Sequence, residues 1–210
     1  KYVGGAEIAI KEKTDRIKDI EFHMVTLHYD STLPPVEKIG NVLVHRIGFT
    51  KAHAEIAELK KFPLYLNKFL FQITAVWKAL SLHKKYHYDA IWAMMIHSSG
   101  VPAGLFKLFK KEVPFILELQ EGDPPEYIER RAWPVWPIFS RAFTTADVVV
   151  AESNFLGRWA RRRGFRGPLE VIPNGVDGEQ FSREVLPREL EDIRAKIGKK
   201  EGENWLIHTG

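Results

Sequence analysis

The residues best suited to chemistry sit in short loops that follow apolar runs. Gln120-Glu121-Gly122-Asp123-Pro124-Pro125 comes directly after the run Pro114 to Leu119. Two carboxylates beside a glycine and two prolines can hold sugar hydroxyls or take a proton from one. The same residues also fit a helix start, with Asp123 and the prolines capping a helix that carries Glu126 and Glu129. His97 follows another apolar run, Ala90 to Ile96; it is either a catalytic group or an ordinary polar loop residue. Gly4-Gly5 stands immediately before a helical pattern. Exposed amides and the positive end of a helix favour a phosphate there. A plain tight turn also fits these two glycines. Neither GxGxxG nor GxxxxGK[ST] occurs, so the nicotinamide-type fingerprint and the P-loop are both absent. His23, His28, His45, His53, His83, His87 and His208 are scattered. Their spacing suggests no metal site, and no metal is expected.

These loops need a scaffold, and the segments between them supply one. Helical patterns are read at Ala6 to Ile17, Leu64 to Leu82, Pro102 to Lys110, Ser153 to Arg163 and Arg188 to Ile197. Strand patterns are read at Glu21 to Leu27, Val42 to Val44, Ala90 to Ile96, Pro114 to Leu119, Val148 to Val150, Glu170 to Ile172 and Trp205 to Ile207. Ser153 is a helix cap and Gly164 a helix stop. Strands alternating with helices predict an α/β fold with a mostly parallel sheet flanked by helices. Such sheets bind ligands beyond the C-terminal ends of their strands. That edge is where Gly4-Gly5, His97, Gln120 to Pro125, Ser153 and Pro173 to Asp177 fall.

The 210 residues correspond to about 1.4 domains of ordinary size. Hydrophobic residues make up 45% and charged residues 28%, a globular balance that excludes a disordered or collagen-like chain. No apolar run approaches the ~20 residues of a membrane span. With no cysteine, a disulfide scaffold and thiolate metal sites are excluded. The net charge of +4 permits an anionic ligand or surface and demands neither. Lys60, Lys61, Lys68, Lys78, Lys84 and Lys85 flank the aromatics Phe62, Tyr65, Phe69, Phe71 and Trp77. Trp133 to Pro137 adds further aromatics after Arg130-Arg131, and Arg158, Arg161, Arg162, Arg163 and Arg166 crowd one helix and its exit. Basic residues among aromatics fit a helix docked on an anionic membrane, a single-stranded nucleic-acid surface, or a solvated basic face over an aromatic core.

The second half of the chain contains an ordered phrase. Ala146-Asp147-Val148-Val149-Val150-Ala151-Glu152-Ser153-Asn154-Phe155-Leu156 leads to Val171-Ile172-Pro173-Asn174-Gly175-Val176-Asp177 and then Phe181. This resembles glycosyltransferase family 4, the retaining GT-B sugar transferases. Gly4-Gly5-Ala6-Glu7 resembles that family's glycine loop, and Leu206-Ile207-His208-Thr209-Gly210 resembles the opening strand of its second domain. The resemblance implies a Rossmann-like acceptor-side domain, the N-terminal half of a GT-B fold, over residues 1–176. A charged linker at 177–203 and the first strand of a truncated second domain at 204–210 follow. It also implies that the first strand lies upstream of Lys1, and that this piece alone has no transferase activity.

The activity implied is transfer of a sugar from a nucleoside-diphosphate sugar to a glycan or lipid-linked acceptor. No cofactor beyond that donor substrate is expected. Gly4 and Gly5 inherit contact with the donor diphosphate, while Gln120, Ser153 and Asn174 become substrate-binding candidates. Many members carry histidine where this chain has Gln120, which cannot act as a base near neutral pH. Glu121, Asp123 and His97 are the candidates to take over that catalytic place. A cytoplasmic setting is expected, with an anionic membrane surface left open as a partner. The alternative is a non-catalytic basic module that binds nucleic acid or membrane; beside the resemblance, a nucleic-acid partner is not expected.

Overall fold

A computed structural model describes residues 4–200 and 202–206. Gly4 caps α1 (Gly5–Arg16), and the Glu7 carboxylate accepts the Gly4 N–H at 2.9 Å. The last carbonyls of a helix have no partner within it. Asn41 supplies donors: its amide group reaches the carbonyls of Thr14, Ile17 and Ile20 at 3.2, 2.6 and 3.1 Å. Asn41 sits in the turn of a hairpin, where Gly40 takes a φ of 56°. That left-handed geometry favours a residue without a Cβ.

The hairpin joins β2 (Val36–Ile39) to β3 (Val42–Ile47), and β1 (Phe22–Leu27) pairs with β3 in parallel. The sequence pattern showed only the first half of β3 and none of β2. β2 is short and mostly exposed, so no apolar alternation marks it.

The second sheet is all parallel, in the order β4 (Ile91–Met94), β5 (Phe115–Leu119), β6 (Val148–Ala151), β7 (Leu169–Val171). The crossovers carry α3 (Val101–Phe109), then α4 (Pro125–Ala132) with α5 (Trp136–Thr145), then α6 (Asn154–Arg162). A long helix, α2 (Asn67–Tyr86), precedes β4. Phe115, Leu117, Leu119, Val149 and Ala151 are buried against Phe139, Phe143, Trp159 and Phe165, so the sheet and its helices share one core. Gly104 lets α3 meet α5 closely: a Cβ there would lie 2.9 Å from the Ala142 Cα. The expected α/β architecture, a parallel sheet flanked by helices, is what forms.

Several details depart from the sequence pattern. The strand expected to reach Ile96 stops at Met94. Met95 then takes a φ of 70°, and Met95–Gly100 coils into a single π-helical turn. A non-glycine residue at positive φ is strained, and such turns recur at functional positions. Trp133–Val135 forms a short 3₁₀ turn into α5, and the two tryptophans part company there. Trp133 stays exposed, whereas Trp136 packs on Phe139 with ring centroids 5.7 Å apart.

The compact unit ends at Asn174, and a second begins at Gly175. Within the second unit, the charged stretch forms α7 (Gly178–Ser182) and α8 (Pro187–Ile197), the latter stopped by Gly198. Trp205 and Leu206 take no regular structure, and the rest of the expected final strand lies outside the described residues.

Candidate active site

The loops at the C-terminal ends of β4, β5 and β6 converge. Glu121, Gly122, Asp123, Pro124 and Pro125 form one wall of a cleft of about 450 Å³, and Glu152, Ser153, Phe155 and Leu156 form the other. Each wall begins where a buried apolar strand runs out, which is why polar side chains first reach solvent there.

Glu121 is the electrostatic centre of this edge. One carboxylate oxygen accepts the Ile96 N–H from the π-helical turn. The other is buried and has no hydrogen-bond partner among the described residues. Burial pushes its carboxyl up to about 7, against the pull of the Ile96 amide and of the backbone at Glu121 and Gln120. A carboxyl of that kind exchanges its proton near neutrality, as an acid–base group must.

His97 stands in the turn held by Glu121. The residue is exposed, yet the protein packed around its ring lowers its pKa by desolvation. Arg131 and Lys68 push the same way, and the Asp123 charge opposes them. Asp123 is exposed at the cleft rim. The three candidates for the catalytic place therefore fall on two adjacent loops, with Glu121 bonded to the Ile96 amide next to His97.

Gln120 bridges two elements. Its Nε2 donates to Glu118 Oε1 at 2.6 Å and to Asn174 Oδ1 at 2.9 Å, joining β5 to the loop after β7. Glu118 was not singled out from the sequence. It is buried within β5, paired with Lys13 of α1, and it accepts the Trp92 indole N–H at 3.0 Å. A lone charge inside the apolar run Phe-Ile-Leu-Glu-Leu was the available signal. Ser153 caps α6 by accepting the Leu156 N–H at 3.4 Å while lining the cleft.

Gly4 and Gly5 open α1, whose later turn Lys13 anchors to β5. The Gly4 N–H is occupied by Glu7, so a ligand would have to displace that carboxylate to use it. A Cβ on Gly5 would meet nothing within 4 Å, so this position faces open space. Among the described residues no cluster of three His, Asp or Glu side chains could hold a metal ion.

The sequence profile of Glycosyltransferase Family 4 matches residues 3–180. The chain belongs to glycosyltransferase family 4. The fold is that of the N-terminal domains of GT-B glycosyltransferases. A sucrose-phosphate synthase from Thermosynechococcus elongatus matches with a TM-score of 0.57 and 15% identity, covering 92% of this chain and 94% of that one. An α,α-trehalose 6-phosphate synthase from Burkholderia multivorans matches with a TM-score of 0.59 and 13% identity, covering 93% of this chain. This family 4 chain spans 51% of that synthase. No curated protein matches the sequence. Membership of the family identifies a sugar-transferring protein with a sugar donor and an acceptor as its partners.

Proposed function

We propose that this chain is the acceptor-side domain of a retaining glycosyltransferase that moves a sugar from a nucleoside-diphosphate sugar to a hydroxyl of a glycan or lipid-linked acceptor. The observation that carries this reading is Glu121: a carboxyl pushed up to about 7 in the wall of an open cleft, beside the His97 turn.

The chemistry asks little of the protein in covalent terms. The acceptor oxygen forms a bond to the anomeric carbon, and the bond from that carbon to the diphosphate oxygen breaks. The hydroxyl proton must leave as the new bond forms. Glu121 in its carboxylate form takes that proton, and the buried site returns it to solvent near neutral pH. Asp123 and Ser153 hold acceptor hydroxyls at the rim. Gly5 leaves room for the donor diphosphate beside the start of α1, where amides and the helix end favour its growing charge. Gln120 and Asn174 fix the two loops that border the site.

The test joins this chain to a second GT-B domain and follows release of nucleoside diphosphate from a panel of nucleoside-diphosphate sugars with simple glycan and lipid-linked acceptors. Proton NMR of the product reads the anomeric configuration. Retention, with a rate that depends on Glu121, is expected. Inversion, or full turnover by a folded Glu121→Ala variant, overturns the reading.

A further inference from the structure

The basic, aromatic segment before and along α2 left three readings open, and the structure removes one of them. Its aromatics are not a core under a basic face. Phe69, Ile73 and Trp77 are 72%, 59% and 65% exposed, and Phe109 of α3 beside them is 61% exposed. Phe69, Ile73 and Trp77 are spaced by four, so they form one stripe along the helix. Trp77 and Phe109 lie with ring centroids 6.5 Å apart, which widens the stripe onto α3. The opposite face of α2 is already used: Ala75, Val76 and Leu82 are buried. A contiguous apolar surface of this kind is uncommon on a soluble domain and marks an interaction site.

The charge around the stripe identifies the partner. From Lys60 to Lys111 the chain has nine lysines, one aspartate and no arginine, whereas the whole chain nets only +4. Lys68, Lys84, Lys85 and Lys111 are exposed around the apolar residues. Protein interfaces are depleted in lysine and enriched in arginine, the reverse of what is found here. Nucleic acid would draw on arginine and stacking aromatics, and offers nothing to Ile73. A bilayer surface suits every part. Trp and Phe settle at the headgroup level, Ile enters the acyl boundary, and flexible lysines reach anionic headgroups. No helix among the described residues is long and apolar enough to cross a membrane, so this is attachment in the plane of the surface.

We infer that the Phe69-Ile73-Trp77 face of α2, with Phe109, docks this domain on an anionic lipid surface. The inference does not depend on the transferase reading, because lipid binding is measured without turnover.

The experiment is sedimentation of the 210-residue chain with phosphatidylcholine vesicles and with vesicles of phosphatidylcholine and phosphatidylglycerol in equal parts. Binding to the anionic vesicles, weakening as salt rises, is expected. Exchanging Lys68 and Lys84 for glutamine should lower partitioning about 25-fold, at roughly fivefold per lysine near such a surface. Ile73→Ser with Trp77→Ser should abolish binding while leaving the circular dichroism unchanged, since both residues are exposed. A third arm uses brominated-acyl phosphatidylcholine in the anionic vesicles. Part of the tryptophan quenching should vanish in Trp77→Phe. Equal binding to both vesicle types, no binding to either, or quenching indifferent to Trp77→Phe each overturns the inference. In the second case the stripe is a protein-docking face.

Discussion

Gln120 and Asn174 are hydrogen-bonded at 2.9 Å although 54 positions separate them in the chain. The bond ties the residue after β5 to the loop after β7, within Pro173-Asn174-Gly175. Because the pair is exposed, it should contribute only about 0.5–1 kcal/mol. A double-mutant cycle with Gln120→Ala and Asn174→Ala, read by urea unfolding, should return a coupling energy of that size. A coupling near zero would mean that the two loops are held independently.

Glu121 makes stability depend on pH in a defined direction. In the folded chain its carboxyl keeps its proton up to about 7, against an ordinary value of 4.5. Between those values the folded state therefore binds more protons than the unfolded state. Stability from this group is fully present below pH 4.5, and is lost as pH rises through about 7. The full swing is about 3 kcal/mol as an order of magnitude. Glu121→Gln keeps an acceptor for the Ile96 amide but removes the titration. Its unfolding free energy should lack this fall between pH 5 and pH 8, compared with the parent chain across the same series.

The Lys13–Glu118 pair should be more sensitive than its modest place in the sequence suggests. Glu118 is buried, whereas Lys13 is partly exposed. Lys13→Met would leave the carboxylate with the Trp92 and Gln120 donors alone. The expected loss is about 3 kcal/mol, near the low end for breaking a buried pair because Lys13 is not fully desolvated. Glu118→Gln in the same background should recover part of it, since the remaining charge is removed. No recovery in thermal unfolding would show that the charge itself is not the source of the loss.

The strands and helices that were legible in the sequence are those with strong periodicity and a buried face. β5, with Phe115, Leu117 and Leu119 buried, is the clearest case; α6, begun by Ser153 and ended before Gly164, is another. The loops at the strand ends were legible for the same reason, and so was the placement of Glu121 and Asp123. What the sequence could not show depends on contacts distant along the chain. The pairing of Glu118 with Lys13 spans 105 positions, and the Ile96 amide that holds Glu121 is 25 positions away. The histidines that looked scattered are another case. His23 accepts the Tyr88 hydroxyl at 2.6 Å, and the pairing of β1 with β3 brings its ring centroid to 5.4 Å from that of His45. The π-helical turn at Met95 was hidden because its apolar residues continue the strand pattern without a break.

Gly5 separates folding from ligand binding. A side chain at this position meets no atom within 4 Å. Gly5→Val should therefore fold with little change, within the ~0.5 kcal/mol expected from helix propensity at a terminus. In a protein carrying both GT-B domains, the same side chain would occupy the room proposed for the diphosphate. Its kcat/KM should fall at least about tenfold, or about 1.4 kcal/mol. Normal turnover by the folded variant would remove Gly5 from the donor site.

The chain by itself should hold nucleotide sugars weakly. The cleft is open, and its walls carry Asp123 and Glu152, whose charges repel a diphosphate rather than attract it. Gly4 can offer its amide only by displacing Glu7. What remains for a donor is a few backbone amides at the start of α1 and an open space beside Gly5. Those contacts must outweigh the several kcal/mol lost when two molecules associate. The chain spans about half of the trehalose 6-phosphate synthase it matches, and a second GT-B domain is where most donor contacts are expected. We therefore expect a Kd near 1 mM or weaker for common nucleoside-diphosphate sugars, a binding free energy of about 4 kcal/mol at most in magnitude. Titration by calorimetry or by NMR shifts of the Gly5 amide measures this directly. Micromolar binding of any donor would place the donor site on this domain, and the assignment of the cleft to the acceptor would then have to be reversed.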